Sequence, residues 1–257
     1  MEFRILGPVG LWADNDDEVP LNGMKQRTLL AAFMLAHGQA ISDHQIGELL
    51  WGTDPPETFQ AQIYTYASRL RRRLSDAIQI VRKGPSYTMR MPTARFDYEE
   101  FCTLSAQGSA ALHQNRYDEA GEMLRSALDL WRGPALADVT EQLAERERPA
   151  LDQARLAALE NRIEADLATS RHEEVTAELV SLVKRHPLRE RFRAQLMLAH
   201  YHADRQADAF AVFHEGRQCL EEELGVNPGP ALRYTYKAIL TGDADRRSDQ
   251  SVGRPGR

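Results

Sequence analysis

Cysteine is scarce. Cys102 and Cys219 are the only two in 257 residues, and they lie far apart without CxxC spacing. That argues against a disulfide framework and against a thiolate zinc site, so a reduced, cytoplasmic protein is expected. Long apolar runs are missing too. No stretch approaches the roughly 18 residues of a membrane span. The opening "MEFRILGPVG" has an acid at position 2 and no apolar core of a signal peptide. There is no GxxxxGK[ST] phosphate loop, no HExxH and no GxSxG. His200, His202 and His214 are close in sequence, but His202 follows His200 by two residues and falls on another helix face. No nucleophile–base pair accompanies them. Neither an enzyme, nor a cofactor, nor a metal is expected.

What is present is an uneven distribution of charge. The net charge is -6. Residues 1–95 nonetheless carry 11 Lys+Arg against 10 Asp+Glu, while the remainder carries 21 against 28. Between residues 60 and 95 there are eight basic side chains and one acid, Asp76. Four arginines (Arg69, Arg71, Arg72 and Arg73) fall within five positions of "QIYTYASRLRRRL". A basic stripe in an acidic chain is the electrostatic footprint of a site for a polyanion.

Periodicity divides the chain near residues 92–96. Before that point "EFRILGPVGLWAD" alternates like one or two short strands, and "VPLN" is a candidate for another. Residues 25–37 carry Leu29, Leu30, Phe33 and Met34 at helical spacing, with Gly38 as the stop. Ser42 and Gln45 form a capping box for a second helix that buries Ile46, Leu49 and Leu50 and ends at Gly52. A third helix is predicted over residues 58–76. "IQIVRK", "GPS" and "YTMRM" then read as a hairpin. Beyond residue 96 helices dominate, with an irregular repeat. Arg171 and Arg205 are 34 residues apart, the tetratricopeptide period, whereas Arg116 and Arg171 are 55 apart. An insertion is therefore expected around "GPALADVTEQ". Helices over residues 96–114, 150–169, 188–203 and 229–240 complete the array. Domains are expected at 1–94 and 95–241, with a disordered tail at 242–257.

On the third helix Ile63, Ala67, Leu70 and Leu74 form the buried stripe. Gln62, Thr65, Tyr66, Arg69, Arg72 and Arg73 share another face. Gln pairs with adenine, Arg with guanine, and the Thr methyl meets the thymine methyl, while Arg also binds phosphate. The hairpin that follows brings Arg82, Lys83 and Arg90 beside this basic helix. Helix plus basic hairpin is the winged helix-turn-helix plan. Lys25 and Arg27 open the first helix, where the macrodipole disfavours them; phosphate contact and plain solvation are equally compatible with the sequence. Trp51 and Trp131 read as core packing.

"FRILGPVGLWAD", "KQRTLLAAFML", "ELLWGTDPP", "YTYASRLRRRL" and "VRKGPSYTMRM" resemble, in order, the OmpR/PhoB-type winged helix of the Streptomyces antibiotic regulatory protein family. "LWRGPALADV", "HPLRERFRAQLMLAHYHADRQADAFAVF" and "LEEELGVNPGPALRYTYKAIL" are similar to that family's bacterial transcriptional activation domain. The resemblance runs from residue 1 to about 241. It implies a mainly α chain: a winged helix-turn-helix (α+β), then an all-α tetratricopeptide-like repeat domain. It implies an activator of a secondary-metabolite, often antibiotic, gene cluster that binds direct repeats in double-stranded DNA as a homodimer and recruits RNA polymerase holoenzyme. By position it puts Gln62, Thr65, Tyr66 and Arg69 toward bases or nearby phosphates, Arg71, Arg72 or Arg73 on the backbone, and Arg82 and Lys83 in the wing. Ser86 departs from the family pattern, which has Gly before the wing tyrosine. The alternatives are a repressor on the same fold, or a helical-repeat scaffold whose basic helix docks an acidic partner.

Overall fold

The computed structural model describes residues 1–15, 17–74, 78–91 and 94–244. Six short strands and ten helices are defined among them. Contacts divide the chain into two compact units, Met1–Leu104 with Ser126–Leu156, and Ser105–Arg125 with Ala157–Arg257. The dividing points fall within helices, and residues 126–156 pack with the N-terminal residues rather than with the repeats that flank them in sequence. The sequence boundary at 94/95 thus differs from the packing boundary. Pro92 and Thr93, beside it, lie outside the described residues.

The first unit opens with β1 (Glu2–Arg4) and β2 (Gly10–Trp12), paired antiparallel. "VPLN" forms no strand; Glu18, just before it, makes a single bridge to Trp12, and the Val19 amide donates to the Leu11 carbonyl at 2.8 Å. β6 (Arg95–Phe96), which the sequence did not suggest, pairs parallel to β1. Helix α1 (Met24–Leu35) is buried nearly all round, including Gln26 and Thr28. Helix α2 (Asp43–Trp51) has the anticipated capping box: Ser42 accepts from the Gln45 amide, and the Gln45 side chain accepts from the Ser42 amide. Such a cap stabilises by about 1 kcal/mol. Gly52, at φ 69°, ends the helix.

Helix α3 spans Phe59–Arg71. Ile63, Ala67 and Leu70 are fully buried, each removing its side chain from water for up to about 1.5–3 kcal/mol for the larger two. Leu74, expected in the same stripe, is only half-buried, because the helix has already ended and the chain turns on the Leu70 carbonyl. The expected helix end at Asp76 lies outside the described residues. The hairpin consists of β4 (Gln79–Lys83) and β5 (Ser86–Arg90), and a two-residue strand β3 (Ile41–Ser42) adds to β5. Gly84 sits at φ 57° in the tip, the positive angle a two-residue hairpin turn asks of its first position.

The suspected insertion is a strap. Residues 131–142 return to the N-terminal strand: the Arg132, Leu136 and Ala137 amides donate to the carbonyls of Leu6 (2.8 Å), Ile5 (2.9 Å) and Gly7 (3.1 Å). Gly7 is needed here, since a Cβ would meet the Arg132 Cβ at 3.2 Å. Asp138 accepts from the Val9 amide at 2.7 Å and pairs with Arg27 at 3.1 Å. Thr140 ties the strap to the first two helices: its amide donates to Thr28 Oγ1 (2.9 Å) and its hydroxyl to the Leu49 carbonyl (2.6 Å). Leu136 holds φ 54°, a strained angle for a bulky residue, while Arg148 grips its carbonyl at 3.0 Å. Asp97, first residue of α4 (Asp97–His113), accepts from the Ile5 and Leu6 amides and pairs with Arg132. Burial pushes its carboxyl upward, and these donors pull it back. Trp131 is buried edge-on against Phe101 at 5.3 Å.

The second unit is helical, drawing on α4, α5 (Tyr117–Asp129), α6 (Glu141–Ala168), α7 (His172–Arg185), α8 (Glu190–His202), α9 (Gln206–Leu224) and α10 (Pro230–Thr241). Helix α6 begins nine residues before the predicted start at residue 150, and Pro149 lies inside it. The repeat has a geometric cause. Asn115, Ser170 and Asp204 each adopt positive φ, and each precedes the arginine that marks a repeat. The Arg116, Arg171 and Arg205 amides each reach back five residues, to Ala111, Asp166 and His200, all at 2.9 Å. This is the Schellman closure of a helix end, used three times. Of the tail, Gly242 caps α10 at φ 74°, and residues 245–257 lie outside the described residues.

Candidate nucleic-acid interface

Helix α3 buries one stripe and turns the other to solvent. Gln62, Thr65, Tyr66 and Arg69 line one shallow depression of about 280 Å³, with Ala61 at its edge. Thr65 and Arg69 are exposed, Gln62 and Tyr66 half-exposed. Local bonds order the face: Gln62 Nε2 donates to Thr58 Oγ1 at 3.2 Å, and Thr65 Oγ1 donates to the Ala61 carbonyl at 2.9 Å. The structure therefore brings these four predicted residues together. Arg72 and Arg73 lie just past the helix end, in the turn, with Arg72 exposed.

The other predicted arginines are occupied. Arg71 is half-buried and its Nε donates to the Ile80 carbonyl on β4 at 2.8 Å. Arg82 reaches Asp43 Oδ2 at 2.9 Å and the Gly84 carbonyl at 3.2 Å, and lies over the Tyr87 ring at 5.3 Å. Lys83, next to the wing tip, is exposed, as is Arg90 at the far end of the hairpin. Among the described residues no ion pair engages Arg69, Arg72, Arg73 or Lys83. Lys25 and Arg27 are not simply solvated: Lys25 Nζ sits 4.3 Å over the Trp51 ring, and Arg27 pairs with Asp138 at 3.1 Å. Desolvation there holds the Lys25 amine below its ordinary range. Trp51 is thus half-exposed and capped by a cation rather than enclosed in core.

Two residues escaped the sequence reading. Tyr64 on α3 is 55% exposed; the available signal was an aromatic ring off the apolar stripe. Asp43 is the acid in the first turn of α2, where the helix dipole favours one. It is buried, its amide donates to the Pro85 carbonyl at 2.7 Å, and its carboxylate carries Arg82. Burial pushes the neighbouring Tyr87 hydroxyl upward; Arg82 and Arg71 oppose that, and Asp43 and Tyr64 add to it.

Two family models match the chain. "Transcriptional regulatory protein, C terminal" covers residues 17–87, and "Bacterial transcriptional activator domain" covers residues 96–240. The regulatory protein DnrI of Streptomyces peucetius is 32% identical over all of this chain and 96% of its own length. The chain belongs to the Streptomyces antibiotic regulatory protein family. The regulatory protein AfsR of Streptomyces coelicolor is 37% identical over 95% of this chain, which spans only 24% of AfsR. A structure of Mycobacterium tuberculosis EmbR in complex with a low-affinity phosphopeptide superposes with a TM-score of 0.88 at 30% identity, covering 98% of this chain and 69% of that one. This member of the family joins a winged helix-turn-helix to a helical activator-type domain. No helix among the described residues is long and apolar enough to cross a membrane.

Proposed function

We propose that the chain is a sequence-specific, double-stranded-DNA-binding activator of a secondary-metabolite gene cluster. It binds direct repeats at promoters as a side-by-side homodimer in the cytoplasm and recruits RNA polymerase holoenzyme. It works by binding, not by catalysis. Residues 1–94 carry the DNA contacts and residues 95–241 the polymerase contacts. The observation that carries the reading is the exposed face of α3, where Gln62, Thr65, Tyr66 and Arg69 share one depression. Amide, hydroxyl, ring and guanidinium groups on one helix face match the donor and acceptor edges of a major groove. Arg72, Arg73 and Lys83 supply charge for the backbone. Similarity to DnrI and AfsR supports the antibiotic-cluster assignment.

The test is a footprint on promoter fragments from the neighbouring gene cluster, with a promoter reporter in parallel. Wild type is expected to protect two direct repeats about one helical turn apart and to raise reporter output. Arg69→Ala is expected to lose the protection. A reporter that falls instead identifies a repressor. Binding indifferent to sequence identifies the basic helix as a docking surface for an acidic partner.

A further inference from the structure

The basic residues of α3 and the wing have unequal surroundings. A hairpin of two five-residue strands is marginal alone and needs attachments to hold an orientation. Here the attachments are specific. At its base, Arg71 from the last turn of α3 donates to the Ile80 carbonyl at 2.8 Å. At its tip, the Asp43 amide at the start of α2 donates to the Pro85 carbonyl at 2.7 Å, and the Asp43 carboxylate receives Arg82 at 2.9 Å. The wing is thereby pinned to the helix that precedes the recognition helix and to the recognition helix itself.

We infer that Arg71 and Arg82 are positioning residues, which fix the wing against α3 and leave phosphate binding to Arg72, Arg73 and Lys83. The inference rests on the reading of α3 as the DNA-contacting helix. Asp43 decides the matter for Arg82. Its side chain is 4% exposed, Oδ2 carries Arg82, and Oδ1 is buried with no hydrogen-bond partner. Were Arg82 to swing onto a phosphate, that carboxylate would stay buried without a counter-charge. An uncompensated buried charge costs more than one solvent-exposed phosphate contact returns. For Arg71 the argument is the acceptor: a strand carbonyl within the wing would lose its donor.

Salt dependence separates the two roles. Each phosphate contact adds about 0.9 to the slope of log K against log salt, and a positioning residue adds nothing. The experiment measures DNA affinity over a series of KCl concentrations, on a promoter fragment that wild type protects. Arg72→Ala is expected to flatten the slope by about one. Arg71→Ala and Arg82→Ala are expected to keep the wild-type slope and to lose roughly tenfold in affinity at every salt. Asp43→Asn is the sharpest variant. It removes a negative charge beside the DNA, so a charge-only account requires tighter binding. The positioning role requires weaker binding at the wild-type slope, with Asp43→Asn/Arg82→Ala no worse than Arg82→Ala alone. Should Arg82→Ala fail to fold by circular dichroism, Arg82→Lys keeps the charge without the fork, and weak binding at unchanged slope is again expected. A slope lost with Arg71→Ala or Arg82→Ala as with Arg72→Ala, or tighter binding by Asp43→Asn, overturns the inference. A wild type that protects no promoter fragment overturns the DNA reading, and this inference falls with it.

Discussion

"RLRRRL" and "LRERFR" are near twins as text, and opposites as structure. In the first, at the end of α3, Arg69 and Arg72 face solvent and no described carboxylate lies within ion-pair distance. In the second, entering α8, Arg189 and Arg191 converge on the buried Glu160, and Arg191 also bonds Asn161 and Glu164. The same unit holds a second such knot: Arg125, Arg162 and Arg171 all grip Asp166, which is 4% exposed. Arginine density therefore says little about a binding surface. What matters is whether the fold delivers carboxylates to meet it. Where it does, the guanidinium groups cross-link helices; where it does not, the charge is left for an external anion.

The contrast can be broken most forcefully at Asp166. Asp166→Ala leaves three arginines without their shared partner and is expected to cost about 3–5 kcal/mol in urea unfolding. Next comes Arg69→Ala. It should weaken binding to a protected promoter site by about 1–3 kcal/mol while unfolding stability stays within about 0.5 kcal/mol of wild type. A comparable stability loss at Arg69 would erase the distinction between the two regions.

Acid should probe the inward-facing region alone. His172 and His200 are held below the ordinary histidine value of 6.5, first by burial, then by His202 and Arg205 respectively. The folded state therefore binds protons less readily than the unfolded chain. The stability they contribute is present above about pH 6.5 and is lost as pH falls through their folded values. A lower urea midpoint at pH 5.5 than at pH 7.5, with the difference reduced in His200→Gln, is the expected result. The smallest effect is at a repeat turn. Ser170 holds φ 62°, and Ser170→Gly should raise the thermal midpoint by the equivalent of about 0.5–1 kcal/mol.

Local signals in the sequence were strong where a few neighbours decide the outcome. The Ser42–Gln45 box, the Gly84 turn and the stripe of Ile63, Ala67 and Leu70 depend on residues one to seven apart. The face of Gln62, Thr65, Tyr66 and Arg69 follows from the same helical period. Features set by distant partners were illegible. β6 exists because Phe96 meets Phe3 across more than ninety residues. Arg71 and Arg82 looked like further free charge, because Ile80 and Asp43 become their acceptors only once the sheet and helices are assembled. The helix expected from residue 150 begins nine residues earlier, at Glu141, and carries Pro149 inside it. The 55-residue spacing between Arg116 and Arg171 pointed to an insertion but not to its destination.

That destination governs how N-terminal domains can be exchanged among relatives. The two family models part between residues 87 and 96, an obvious place to splice. A graft cut there would strip Ile5, Leu6 and Val9 of donors or acceptors supplied by residues 97, 132, 136 and 138, and Thr28 of its Thr140 neighbour. A recombinant cut at that point must inherit the strap together with the strands and helices it bonds.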